Sequence, residues 1–335
     1  MNKKIAFVLG SIFFMLGLIT LPHYGINWDT VNHLPRGQAY LRYLLWGKKD
    51  YSDLPKFFED YTIKEQWYWQ KPESLFIDAN LPWEEIPQRS TYQITDANLD
   101  FYVNHVPGGH PPISDILSSV FNRVLFGQLR IINDIDSYRA YGVFLSACLV
   151  GLVFVWLSKT YGRVAGLVAS LSLALYPLFW SESHFNTEKD IPETAFWSFF
   201  MYSLWKGVQD KSYKWLLVSG VFFGLALGTK FNILFAVFVI IPWFVFLLLT
   251  RQMRISEAVK NVFWGIIALA VGAGIFIGSW PYLWPDPIAR FQEVLGFYKF
   301  IGASGPSLLN IYPLQWIAYT TPLVILTLFL IGLKF

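Results

Sequence analysis

The sequence predicts an all-α polytopic membrane protein of about eight spans, and three observations carry that prediction. The chain is 54% hydrophobic and only 15% charged over its 335 residues, whereas soluble domains carry about a quarter charged residues. Its apolar residues fall in long blocks between short charged clusters, the pattern of a chain solvated by lipid. Lysine and arginine concentrate in alternate connections, which fixes one orientation across the bilayer. The formal charge of +3 says little beside that placement.

Apolar stretches suited to crossing are 5–21, 138–157, 164–180, 191–205, 215–229, 231–250, 262–280 and 312–333. Several lie near the lower limit of about 17 residues. The first follows Lys3 and Lys4 and has no small-residue cleavage site after it. It reads as a retained span (residues 1–22) rather than a signal peptide, with the amino terminus in the cytoplasm. The single cysteine, Cys148, lies inside an apolar block, so a disulfide framework or a cysteine metal cage is excluded.

Residues 23–137 form a large polar connection, rich in Trp, Tyr and Pro, that contains Lys48-Lys49-Asp50 and Trp83-Glu84-Glu85. That aromatic load predicts a structured extramembrane loop with amphipathic helices. Within it, 112–127 is apolar but carries Asp115, Asn122 and Arg123. A charge at a helix centre costs about 2.5–3.5 kcal/mol on insertion, so a flat interfacial helix with its polar side to water is expected. The basic residues agree. If 112–127 does not cross, the clusters Lys3/Lys4, Lys159/Arg163, Lys206/Lys211/Lys214, Arg251/Arg254/Lys260 and Lys334 are all cytoplasmic. Residues 138–335 then form a bundle of about seven spans, with extracytoplasmic loops near 181–190 and 281–311.

Several ionisable residues gather at the outer boundary. Asp29, in Asn27-Trp28-Asp29-Thr30, follows the exit of the first span; its competing reading is a helix N-cap. The turn His184-Phe185-Asn186-Thr187-Glu188-Lys189-Asp190 is dense enough to bind a cation or a phosphate-bearing ligand, or else is a polar turn in which Asp190 caps the next helix. His110 precedes Pro111-Pro112, which fix the backbone and aim the histidine. Lys230 sits between two apolar spans, as a phosphate contact or as a snorkelling side chain.

In order, these motifs are an acid after span one, a basic residue before Pro-Pro, Tyr138-Arg139-Ala140 opening span two, His184 to Asp190, and Gly-Thr-Lys230 closing span five. The series resembles the C-type (GT-C) membrane glycosyltransferases, in the branch of protein O-mannosyltransferases and lipid A aminoarabinose transferases. The resemblance implies a GT-C-like helical bundle in a bacterial plasma (inner) membrane, with its active site on the extracytoplasmic face. It implies a polyprenyl-phosphate sugar donor and a protein, glycan or lipid acceptor, with membrane lipid as surroundings and no nucleic acid. Asp29 matches the first acid of the family's Asp-Glu pair, and Thr30 stands where Glu is usual. Asp190 matches the second acidic position. His110 matches a donor-phosphate contact, and Lys230 and Arg139 are the further cations for that phosphate. His184 and Asn186 would line the site or the acceptor path. Asp29, Glu188 and Asp190 are an oxygen set suited to a divalent cation, although relatives independent of metal exist. Relatives are often longer, which implies a compact member or part of a longer chain.

A phosphate leaving group needs little protonation, so one carboxylate base suffices for inverting displacement. The alternatives are a secondary transporter and a non-catalytic scaffold. A transporter would place ionisable groups near the midplane of broken helices, often in repeated halves, and neither pattern is visible. A scaffold would leave the boundary acids and bases without a purpose.

Overall fold

The computed structural model describes residues 2–54, 90–93, 96–105, 109–303 and 311–333. Trp83-Glu84-Glu85 and Lys334 lie outside the described residues. Among the described residues every regular element is helical. The α-helices are α1 (Asn2–Thr20), α2 (Thr30–Trp46), α3 (Ile113–Asn122), α4 (Asp134–Tyr161), α5 (Arg163–Ala174), α6 (Pro177–Phe185) and α7 (Asp190–Gln209). They continue as α8 (Tyr213–Leu227), α9 (Val237–Leu249), α10 (Ile255–Gly278), α11 (Pro287–Ala303), α12 (Tyr312–Thr320) and α13 (Leu323–Gly332).

The protein is an all-α integral membrane protein. Among the described residues, four stretches are long and apolar enough to cross a bilayer: Asn2–His23, Asp134–Tyr161, Phe231–Leu249 and Ile255–Gly278. Two bent helix pairs raise this to six if each pair is one span. The stretches 191–205 and 215–229 are helical too, as α7 and α8 of 20 and 15 residues. At 1.5 Å per residue α8 reaches only about 22 Å, short of a hydrocarbon core of about 30 Å.

Two expected spans are broken by proline. Residues 164–180 divide into α5 and α6, inclined at 57°. Pro177 has no amide hydrogen to give the helix and drives Tyr176 into an extended conformation (φ −72°, ψ 114°). Residues 312–333 divide into α12 and α13 at 110°, where Thr321 before Pro322 is extended for the same reason. The predicted loops also shorten. Helix α6 takes Ser181 to Phe185 out of the 181–190 turn, and 281–311 contains a short 3-10 turn (Pro281–Leu283) and α11.

The long helices pack in a row, α1 on α4, α4 on α7, α7 on α8 and α8 on α10. The last contact is the tightest. Gly220 and Gly224 of α8 face Ala268 and Gly272 of α10, and a Cβ on either glycine of α8 would press on the α10 backbone. Small residues spaced by four bring two backbones together where lipid offers no hydrophobic drive.

Helix α3 covers only 113–122 of the expected 112–127, with a π-helix over Arg123–Gln128 after it. Its polar side does not face water: Ser114, Asp115, Ser118, Ser119 and Asn122 are all buried. Asp115 and Asn122 meet polar residues of α2 and α4 instead. Gln38 donates to the Asn122 amide oxygen at 2.9 Å and to the Tyr138 hydroxyl at 2.5 Å, and Asn122 donates to the Asp134 carboxylate at 2.7 Å. Gly37 makes this crossing close, since a side chain there would strike the Asp115 carbonyl oxygen.

The basic clusters gather at the amino-terminal end of α1. Arg163 donates to Asn2 at 3.1 Å, Lys159 to Asp210 at 3.3 Å and Lys211 to Glu257 at 2.6 Å. The other end of α1, about 28 Å away for its 19 residues, opens onto α2, α3 and the starts of α7 and α9.

Candidate active site

Asp29 occupies the N-cap position of α2, and its backbone carbonyl accepts from the Asn32 and His33 amides at 3.0 and 3.1 Å. Its side chain makes no capping bond. The carboxylate turns instead to Lys189, whose ammonium donates to Oδ2 at 2.7 Å. Asp190 opens α7 and is also turned to a cation: Lys230 donates to Oδ1 at 2.5 Å. Asn186 steadies Asp190, donating to Oδ2 at 2.8 Å and accepting the Asp190 amide at 3.2 Å. Lys189 also acts on Asp190 electrostatically, so one lysine links the two aspartates.

A third pairing lies beneath them. Asp115, fully buried, accepts from Arg36 Nε at 2.7 Å, with Nη2 at 2.6 Å, and lies 2.8 Å from His33 Nδ1. His33 and Arg36 are three residues apart on α2 and so share a face. His110 lies over this group, its ring centroid 5.9 Å from that of His33 and its Nδ1 2.8 Å from the Tyr298 hydroxyl of α11. The segments bearing His110 and Lys230 are tied together, since the Ile113 amide donates to the Gly228 carbonyl at 2.8 Å and Ser114 meets Thr229 at 3.1 Å.

The electrostatics follow from this packing. Burial raises the Asp29 carboxyl, but the Lys189 hydrogen bond and charge, with His33 and His110 nearby, bring it below the ordinary value. Asp29 is therefore ionised at neutral pH. Burial, reinforced by the charges of Lys189 and Arg36, pushes His110 down to about 3, so the histidine is neutral and acts through hydrogen bonds. Glu188 takes the opposite course: burial, with Asp115 and Asp29 near, lifts it to about 7. Its Oε1 accepts from Thr30 at 2.5 Å, and its Oε2 is buried with no hydrogen-bond partner. The threonine beside Asp29 thus carries a carboxyl brought in from 158 residues away.

The structure therefore brings Asp29, Asp190, His110 and Lys230 into one cluster, with Asn186 and Glu188 at its edge. Arg139 and His184 have other duties. The Arg139 guanidinium is buried, pairs with Asp136 and donates to the Tyr24 and Gly25 carbonyls, clamping the exit of α1. His184 is fully buried, its Nε2 2.9 Å from Thr20 Oγ1 and its Nδ1 2.6 Å from the Trp180 carbonyl, and stacks on Tyr24 at 4.2 Å. It pins α1 to α6. The expected oxygen set of Asp29, Glu188 and Asp190 is not gathered: each turns to its own partner, and no three His, Cys, Asp or Glu among the described residues cluster as metal ligands.

Sequence reasoning passed over Lys189, His33, Arg36, Asp115 and Tyr298 as site residues. A signal for three of them was present, since the basic residues His33 and Arg36, three apart on an amphipathic helix, demand an acid, and Asp115 is the acid otherwise stranded in an apolar segment.

The model of the dolichyl-phosphate-mannose-protein mannosyltransferase family matches residues 110–277. That is half of the chain, from His110 through Lys230, with Asp29 lying before it. Neither the curated proteins nor the solved structures compared with the chain match it. The family match and the apolar helices agree, and the chain belongs to the dolichyl-phosphate-mannose-protein mannosyltransferase family of GT-C-type membrane glycosyltransferases.

Proposed function

We propose that this protein transfers a sugar from a polyprenyl-phosphate-linked donor to an acceptor hydroxyl outside the cytoplasm, with inversion, using Asp29 as general base. The observation that carries this reading is the position of Asp29. Its carboxylate is ionised and 41% exposed, at the end of the apolar helices, amid two lysines and His110. A donor whose tail stays in the bilayer presents its phosphate at that boundary. The family name points to mannose as the sugar and to a protein as acceptor.

In this mechanism the acceptor oxygen attacks the anomeric carbon while its proton passes to an Asp29 carboxylate oxygen. The bond from the anomeric carbon to the phosphate oxygen breaks, and the electron pair leaves on the phosphate. Lys230, with hydrogen bonding from His110, offsets the charge that develops there. Arg139 supports the site by holding the turn before Asp29. Asp190, on the stiff start of α7, orients Lys230 and the acceptor. The clustering of Lys and Arg at the far end supports an extracytoplasmic site, with 23–137 and the loops near 181–190 and 281–311 on the same side.

The test is transfer by the purified protein in nanodiscs, supplied with a polyprenyl-phosphate sugar and a hydroxyl-bearing peptide acceptor, and scored by acceptor-dependent release of polyprenyl phosphate. Asp29→Asn keeps shape and polarity but removes the base, and the rate is expected to fall about 10²–10⁴-fold. A well-folded variant that transfers at the wild-type rate returns Asp29 to the role of a helix start.

A further inference from the structure

Among the described residues the cluster contains three cations, Lys189, Lys230 and Arg36, and each is matched to a carboxylate, Asp29, Asp190 and Asp115. A donor phosphate entering such a site has to take a cation from its partner. The three pairs are unequal. Asp115 is wholly buried and holds Arg36 and His33 together; stripping it would leave a charge stranded in the interior. In the other two pairs the carboxylates are 41% and 51% exposed, so water takes over their solvation when the lysine leaves. Of these two lysines, Lys189 is the one that acts on Asp29, His33 and His110 together.

We propose that Lys189 is a latch on the base: it holds Asp29 until the donor phosphate draws it away, so that donor binding both gains a cation and frees the carboxylate for the acceptor hydroxyl. This rests on the donor reading above. The ammonium holds Asp29 Oδ2 at 2.7 Å and, by lowering the carboxyl, makes the whole carboxylate a weaker base while it stays. The lysine needs only to swing on its own four-carbon stem, because Lys189 lies in the turn between α6 and α7 and its side chain makes no cap. The chemistry becomes ordered: donor first, acceptor second.

Linkage gives an unusual test. If Asp29 and the phosphate compete for Lys189, removing the Asp29 charge must tighten donor binding, even as it destroys transfer. Binding of polyprenyl phosphate to the protein in nanodiscs is measured for wild type, Asp29→Asn, Lys189→Gln and the double variant. Lys189→Gln is expected to weaken binding about tenfold or more. Asp29→Asn is expected to tighten it by about fivefold or more, a typical coupling between sites. In the Lys189→Gln background the second substitution should change nothing. Tightening of the same size in both backgrounds would mean plain repulsion between Asp29 and phosphate, and the latch is overturned. No tightening in Asp29→Asn overturns it as well. Neither result bears on whether Asp29 is the base, which the transfer rate of Asp29→Asn decides separately.

Discussion

The two ends of the bundle use the same kind of contact to different effect. At the far end, Lys159–Asp210 and Lys211–Glu257 are surface pairs, with lysines 49% and 69% exposed. Exposed pairs of this sort contribute between nothing and about 1 kcal/mol, because water solvates both partners nearly as well apart. At the site end, Asp115 has no exposure and its partners Arg36 and His33 are only 12% and 7% exposed. There the charges cannot separate without a large desolvation cost, and neighbouring groups feel them. The comparison shows that exposed ion pairs tie helices together only weakly at one end, whereas buried ones at the other set the charge state of their neighbours.

The sharpest way to break this comparison is to remove Asp115. Asp115→Ala strands Arg36 and His33 in the interior and should destabilise the fold by about 3–5 kcal/mol. The loss should appear in chemical denaturation of the detergent-solubilised protein. A loss within the range of a surface pair would mean that water reaches this network and that the two ends are alike.

A smaller effect tests Glu188. Its folded value of about 7 stands above the ordinary 4.5, so the folded state binds the proton more tightly than the unfolded chain. The stability it contributes is full below about 4.5 and is lost as pH rises through about 7. Melting temperatures across that interval should fall for wild type and stay flatter for Glu188→Gln, which keeps an acceptor for Thr30 without the charge. Parallel curves would show that Glu188 ionises in place at no cost. The smallest effect belongs to the far end: Lys211→Ala should change stability by less than about 1 kcal/mol. A loss comparable to that of Asp115→Ala would erase the distinction between the ends.

Most of the fold was legible because lipid imposes a simple rule on sequence, and the block 138–157 duly became the core of α4. What escaped was local and proline-dependent. Residues 164–180 are apolar throughout, so composition alone reads one span, and only the missing amide of Pro177 divides it. The face of α3 was misjudged because its polar residues find partners on α2 and α4 rather than water, and those partners are distant in sequence. In the site, Asp29 and Asp190 were visible because acids at helix starts beside apolar blocks are costly and few. The pairing of Asp29 with Lys189 was not, since it joins residues 160 apart. Glu188 was visible as a residue but not in its protonation, which depends on burial created only by folding.

The one-to-one matching of Lys189, Lys230 and Arg36 with carboxylates also governs how substrate finds the enzyme. Adjacent opposite charges make dipoles, whose fields fade within a few ångströms instead of reaching out as a steering potential. Such a site does not summon anions from solution, and soluble phosphates gain little from passing near it. A ligand anchored in the bilayer needs no summons, because lateral diffusion delivers its headgroup to this depth and a search in two dimensions replaces one in three. Selection against abundant water-borne anions is thus achieved before any contact is made.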